Sequence, residues 1–160
     1  MSVMSRLLLS RALRAACAAV VLAAGPAAAA DACATAADLV VRAADPAPVS
    51  AGGSTLVHPV VTNAGDSATA VPFTLYVHLP PGVVGTGTSS GATCTTLPHG
   101  HTVACAVPAG LAPGASVTAE VRISVASGMD PEVLDGDAEA ELPDDPTPGN
   151  NTTTFRITVV

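Results

Sequence analysis

Hydrophobic and polar residues alternate along several stretches of this chain. In one stretch the apolar residues Phe73, Leu75, Val77 and Leu79 are separated by Thr74, Tyr76 and His78. Residues 117–125 and 152–160 repeat the pattern. Because successive side chains of a strand point to opposite faces, this period predicts strands with one buried and one wet face. Such strands are typical of antiparallel sheets stacked as a sandwich, whereas parallel strands are apolar throughout.

The whole chain from Asp38 onward indicates the same fold class. Short segments rich in Val and Thr are separated by Pro, Gly, Asn and Asp, and no stretch has a helical period. We therefore predict an all-β domain of seven to eight antiparallel strands. The predicted strands are residues 38–42, 55–62, 71–79, 93–97, 102–107, 117–125, 137–142 and 152–160.

The first thirty residues have a different pattern, which predicts a secretory signal peptide. Three arginines precede an uncharged apolar run at 15–24, and small residues follow up to Ala30. The run is about ten residues long, whereas a membrane-spanning helix needs about twenty. We predict a signal peptide at 1–30 cut near Ala30, an N-terminal segment at 31–37 and one domain at 38–160. The mature protein is then secreted, extracellular or loosely associated with the cell surface, without a membrane span.

The charge of the predicted mature chain excludes one class of partner. The signal peptide takes three of the six basic residues, so three remain against thirteen acidic ones, a net charge of −10. The sequence contains no lysine. A chain this acidic repels nucleic acid and anionic membrane surfaces, so we expect neither as a partner.

The cysteines predict one disulfide bond. In a hairpin turning at residues 98–101, pairing Leu97 with Thr102 places Cys94 directly opposite Cys105. Opposite residues are close enough for a disulfide when they form a non-hydrogen-bonded pair. Export to an oxidising compartment favours the bond, and closing this loop stabilises the fold by roughly 3 kcal/mol. Cys33 remains as a free or partner-linked thiol, which we favour over lipid attachment because Ala30-Asp31-Ala32 fits a lipoprotein cleavage site poorly.

Five short motifs at strand-length spacing carry a resemblance to a known family. They are Val61-Thr62-Asn63-Ala64-Gly65, Leu79-Pro80-Pro81-Gly82-Val83, the pair Cys94 and Cys105, Leu111-Ala112-Pro113-Gly114-Ala115, and Asp145-Pro146-Thr147-Pro148-Gly149-Asn150-Asn151-Thr152. In this order the chain resembles the Ig-like repeats of bacterial cell-surface proteins, a conserved domain of unknown function related to the CARDB cell-adhesion-related domains. The resemblance spans nearly all of residues 38–160 and implies an immunoglobulin-like β-sandwich. The family often occurs as tandem repeats, whereas this chain carries one copy.

Acidic residues concentrate between positions 130 and 145. One hypothesis is a calcium site, since extracellular modules often bind calcium through carboxylate oxygens. The candidate ligands are Asp130, Asp135, Asp137, Asp144 and Asp145, joined by Asn150 or Asn151. Their spacing matches no EF-hand loop. We favour the alternative that Glu139 and Glu141 form the wet face of a strand and the other acids solubilise loops, so no cofactor is expected.

Two further groups of residues raise the question of metal binding and catalysis. His99 and His101 flank Gly100 at the hairpin tip and, with His58 or His78, could ligate a transition metal. We favour polar turn residues, since two histidines on one tip supply too few ligands. Glu139 and Glu141 as neighbours on one exposed strand face lack the cleft of a glycosidase. No Gly-x-Ser-x-Gly elbow occurs, so no catalytic residue and no enzyme activity are predicted.

These observations favour a non-catalytic secreted or cell-surface module with a structural, adhesive or protein-interaction role. We expect its partner to be a cell-wall component or another exported protein. The alternative hypothesis is a small-ligand or carbohydrate-binding module, for which sandwich folds are common scaffolds. Carbohydrate sites usually present aromatic rings. This chain has no tryptophan, and Tyr76 is its only tyrosine.

Overall fold

The structure, a computed structural model, describes residues 35–160. The predicted signal peptide, its cleavage point near Ala30 and the thiol of Cys33 lie outside these residues. The ten strands are β1 (Leu39–Arg42), β2 (Ser54–Val57), β3 (Val60–Asn63), β4 (Phe73–His78), β5 (Val83–Ser89), β6 (Thr93–Thr96), β7 (Thr102–Val107), β8 (Ser116–Val125), β9 (Val133–Glu141) and β10 (Thr152–Thr158). The predicted all-β sandwich is confirmed. Within residues 35–160 no helix is long and apolar enough to cross a membrane.

The strands form two antiparallel sheets. In the first sheet β8 is central, with β2, β3 and then β1 on one side and β5 on the other. The second sheet has the order β10, β9, β4, β7, β6. Between them lies a core of Val, Leu and Ile side chains with Phe73 and Phe155 as its two aromatic residues. The predicted faces of β4, β8 and β10 are correct, since their apolar residues are the buried ones.

Strands β2 and β3 lie end to end along the same side of β8. Leu56 pairs with Arg122 and Val61 pairs with Val117, which is one continuous register. The interruption falls at Pro59, because proline has no N–H to donate to a ladder. The carbonyl of Pro59 still accepts a hydrogen bond from the Ala119 N–H at 3.0 Å. The single strand predicted at 55–62 therefore has the right path, but the structure divides it at the proline.

Strand β5 is absent from the sequence prediction. Its inward positions include Gly85 and Gly87, so the apolar alternation that marks a strand is missing. A Cβ on Gly85 would lie 2.7 Å from Leu79, and one on Gly87 would lie 2.5 Å from Val103. Neighbouring side chains thus fill the core where these glycines have none. Strand β9 likewise begins at Val133, before the predicted position 137, with Gly136 packed against an aromatic ring.

The structure supports the predicted pairing of Cys94 with Cys105. The two residues lie opposite each other in the β6–β7 ladder, with their Cα atoms 3.9 Å apart and their sulfur atoms bonded. The Leu97 N–H donates to the Thr102 carbonyl at 2.8 Å, so that pair is hydrogen-bonded. Because bonded and non-bonded pairs alternate, Cys94 and Cys105 form a non-hydrogen-bonded pair, the geometry that admits a disulfide.

Several edge strands have their free backbone groups occupied. At the edge of the first sheet, the Leu39 N–H of β1 donates to a carboxylate oxygen of Asp145 at 2.8 Å. At the edge of the second, the Arg156 N–H of β10 donates to Asp45 at 2.7 Å. On β5 the Gly85 N–H donates to the Gly100 carbonyl at 2.8 Å. These contacts occupy groups that would otherwise be open to another strand.

Candidate functional site

Asn63, from the first sequence motif, is a buried structural residue. Its side chain is fully buried, and its Oδ1 accepts hydrogen bonds from the N–H groups of Asp38 at 3.2 Å and Gly65 at 3.0 Å. Its Nδ2 donates to the carbonyls of Ser67 at 2.7 Å and Leu111 at 2.8 Å. One amide therefore joins the start of β1, the end of β3 and two loops.

The neighbouring motifs meet at the same place. The Gly114 N–H donates to the Asn63 carbonyl at 2.7 Å, and the Asn63 N–H donates to the Ala115 carbonyl at 3.0 Å. Gly114 has φ +75°, a conformation that favours glycine. A Cβ on Gly65 would clash with the Ala36 carbonyl oxygen, so only glycine fits there. The first and fourth motifs, around Asn63 and Gly114, thus build the sandwich, and a binding surface has to be sought away from them.

The outer face of the second sheet carries a column of four acids along β9. Asp135, Asp137, Glu139 and Glu141 alternate with the inward-facing residues Gly136, Ala138 and Ala140. Successive carboxylates on one strand face lie about 7 Å apart along the strand. We call this surface, with the residues beside it on β4, the acidic face.

Two ring side chains lie beside the acids on β4. Tyr76 is the ladder partner of Glu139, and His78 is the partner of Asp137. The two rings stack, with centroids 5.9 Å apart and planes inclined by 14°. Beyond them, β7 presents small side chains, with Ala104 paired to Tyr76. The acidic face is therefore a column of carboxylates bordered by the stacked rings of β4. The small side chains of β7 beyond the rings leave room for a partner.

The four acids have no opposite charge bound to them. Within residues 35–160 the salt-bridge contacts are Arg156 with Asp45 and, when its imidazole is protonated, His58 with Glu120, so neither involves an acid of β9. Arg156 is the cross-strand neighbour of Asp135, but its guanidinium lies 3.4 Å from Asp45. By contrast, β8 on the outer face of the first sheet carries one acid, Glu120, and one base, Arg122, so its formal charges balance. The unpaired negative charge is therefore concentrated on one face of the sandwich.

A notch opens at the Glu141 end of the acidic face. Strand β10 begins at Thr152, opposite Glu139, and so does not cover this end of β9. The volume of the notch is about 470 Å³. We call it the proline notch, and its lining residues include Pro72, Pro143, Pro148, Glu139, Glu141 and Asn151. Asn151 is 5% exposed, and its Oδ1 accepts no hydrogen bond from residues 35–160. The notch thus combines apolar walls, two carboxylates and a buried amide oxygen without a donor.

The structure does not gather the five calcium candidates into one place. Asp135 and Asp137 lie on β9, Asp130 precedes this strand, and Asp144 and Asp145 follow it. The strand separates its two ends by roughly 30 Å at about 3.3 Å per residue. Both oxygens of Asp145 accept backbone hydrogen bonds. Within residues 35–160 no three His, Cys, Asp or Glu side chains are grouped so that they could hold a metal ion.

The histidines are also dispersed. His58 lies on the first sheet, 3.7 Å from Glu120, whereas His78 lies on the second and contacts Thr102 at 3.2 Å. At the hairpin tip, His99 has φ +74°, and the Nδ1 of His101 lies 2.8 Å from the Val83 carbonyl. The side-chain hydrogen bonds of these described histidines include no serine, so no serine–histidine pair is formed there. The arrangement suits binding through charge and shape.

Comparison with known proteins gives similarity in fold. No protein-family model matches the chain, and no curated protein sequence matches it. Solved structures do. The third cohesin of ScaC from Acetivibrio cellulolyticus, in complex with the ScaB dockerin, has a TM-score of 0.56 at 14% identity, covering 76% of this chain and 99% of that one.

Two further cohesins give similar values. The OlpA cohesin of a cohesin–dockerin complex from Clostridium thermocellum has a TM-score of 0.54 at 9% identity, covering 77% of this chain and 99% of that one. A cohesin module from a Clostridium perfringens family 33 glycoside hydrolase has a TM-score of 0.53 at 10% identity, covering 78% and 97%. These TM-scores show a shared β-sandwich fold. Sequence identity this low leaves the function to be argued from the surface.

Proposed function

We propose that this chain is an exported, non-catalytic module that binds another exported protein through its acidic face. The observation that carries the proposal is the column of four carboxylates on β9, none of which is in an ion pair within residues 35–160. Like charges placed side by side cost stability, and a partner of opposite charge would offset that cost.

Two further observations support this proposal. The first thirty residues have the charge and hydrophobic pattern of a signal peptide, which favours export and a surface or extracellular location. The similar solved structures include cohesins in complex with dockerins, which are protein–protein complexes built on the same fold. We extend the proposal to a kinship with the Ig-like repeats of bacterial surface proteins, supported by the five motifs.

The test compares matched charge reversals on the two outer faces. The full chain is expressed in its source bacterium, and its export and cleavage near Ala30 are checked by mass spectrometry of the culture medium. The purified protein and the variants Asp137→Lys and Glu120→Lys are then immobilised and exposed to the exported proteins and cell-wall fragments of that bacterium. Both positions are on strands of an outer face, on the second and first sheet respectively.

We expect capture of a protein that weakens as salt rises, is lost in Asp137→Lys and persists in Glu120→Lys. Salt screens exposed charges over about 10 Å at 0.1 M, so the dependence should be steep. Equal capture by both variants would contradict the proposal. Capture of cell-wall fragments and no protein would contradict the proposed protein partner and assign a cell-wall component instead.

Carbohydrate binding is the second candidate function, and one observation favours it. Tyr76 is half-buried on the acidic face, and its ring stacks on His78 to form a small aromatic platform. Sugars pack against such rings. A glycan array probed with the wild type and with Tyr76→Ala tests this function. A signal that depends on Tyr76 would favour it over protein binding.

A further inference from the structure

We propose that the proline notch is the specificity pocket of the acidic face and takes an arginine side chain from the partner. This inference rests on the proposed function and names the group that would be recognised. The notch lies at one end of the acidic column and shares Glu139 and Glu141 with it. It is concave, whereas the remainder of the face is the surface of a sheet.

The charge of the notch selects a cation. Glu139 and Glu141 project from the same strand face about 7 Å apart, so one planar guanidinium can lie between their carboxylates. Neither side chain is in an ion pair within residues 35–160. A guanidinium offers five N–H donors in a fixed plane and suits two acceptors better than a compact ammonium group.

The walls of the notch select a long side chain. Pro72, Pro143 and Pro148 contribute apolar surface, against which the methylene stem of an arginine can pack. A volume of about 470 Å³ is ample for one such side chain. The charged end group would then reach the carboxylates while the stem covers the proline rings.

Asn151 provides an independent reason to expect a hydrogen-bond donor. Its side chain is buried and lines the notch, yet its Oδ1 has no hydrogen-bond donor among residues 35–160. Leaving a buried acceptor unpaired costs free energy. Rotation of this amide toward a guanidinium in the notch would supply the missing hydrogen bond.

The experiment is an NMR titration of the exported, isotope-labelled protein with N-acetyl-arginine methylamide. The matched probe is the citrulline derivative, which has the same shape without the charge, and calcium chloride is the second comparison. The readouts are the backbone amides of Thr74, Glu141 and Leu142 and the side-chain amide of Asn151. The variants are Glu139→Gln and Glu141→Gln, with Glu120→Gln as a control on the first sheet, outside both the acidic face and the notch.

We expect saturable shifts at these residues with the arginine derivative only. Each glutamine variant should weaken binding by about two- to fivefold, as for exposed ion pairs. The double variant should weaken it by about four- to twenty-five-fold if the two effects add. Glu120→Gln should bind as the wild type does. Equal shifts with citrulline, shifts spread evenly along β9, or saturation by calcium without an arginine response would each overturn the inference.

The two proposals can fail separately. If Asp137→Lys abolishes capture of the partner while the arginine derivative leaves the notch unshifted, the acidic face is the binding surface and the notch has been misassigned. If the arginine derivative binds in the notch but no protein is captured, the proposed function fails and the notch remains an arginine site.

Discussion

The carboxylate of Asp145 accepts a hydrogen bond from the backbone N–H of Leu39 at 2.8 Å, across 106 residues of the chain. Its other oxygen accepts from the Thr147 N–H at 2.8 Å. One side chain thus fixes the loop after β9 and ties it to the first strand. The sequence suggests that Asp145 only solubilises a loop, but in the structure it is a structural residue.

Asp145→Ala should lower the free energy of unfolding by about 1–2 kcal/mol, because two backbone donors lose a charged acceptor. Urea denaturation measures the change. The adjacent Asp144 is exposed, with φ +63°, which asparagine also tolerates. Asp144→Asn should therefore change stability by less than about 0.5 kcal/mol. Equal effects of the two substitutions would argue against the assignment.

Asn63 gives the largest predicted effect of a single polar substitution. Asn63→Ala should cost about 3 kcal/mol or more, since it removes four hydrogen bonds from a fully buried site and leaves their partners unpaired. Thr62→Val is the matched control, because the hydroxyl of Thr62 bonds only to Ser116 at an exposed position. The control should fall within about 0.5 kcal/mol of the wild type in the same urea experiment.

The disulfide should contribute roughly 3 kcal/mol through loop closure, given the 11-residue separation of its cysteines. Cys94→Ala/Cys105→Ala is expected to lower the free energy of unfolding by that amount. Adding a reductant to the wild type should give a loss of similar size, and adding it to the double variant should change nothing. A double variant as stable as the oxidised protein would refute the expected contribution.

The acidic column should cost stability at low salt, because its carboxylates repel one another. Asp137→Asn is expected to raise the free energy of unfolding by about 0.5 kcal/mol at low salt. The gain should shrink when salt screens the charges. Glu120→Gln, on the other sheet and beside His58, should give no such gain. Thermal unfolding at several salt concentrations checks both, and a destabilised Asp137→Asn variant would contradict the repulsion.

The sequence predicts those parts of the fold in which each strand carries its own apolar alternation. The faces of β4, β8 and β10 and the register that joins Cys94 to Cys105 follow from local pattern. Strand β5 does not, because Gly85 and Gly87 hold inward positions that other side chains fill. Its identity as a strand depends on packing contributed from elsewhere in the chain.

The candidate site could be predicted only in part, for the same reason. Alternation along β9 correctly places Glu139 and Glu141 on a wet face. The sequence does not indicate that β9 lies between β4 and β10, so the neighbourhood of Tyr76 and Glu139 comes from the sheet order. The notch depends on where β10 begins, and no local pattern marks the unpaired oxygen of Asn151.

The occupied strand edges affect the tendency of this protein to aggregate at high concentration. Another copy approaching β1 at Leu39 meets the carboxylate of Asp145, and one approaching β10 at Arg156 meets that of Asp45. To add its own strand it would have to displace a charged acceptor at either edge, which disfavours growth into fibrils. A dense layer of this protein would therefore resist polymerisation at these edges, and its acidic faces would stay available to a partner.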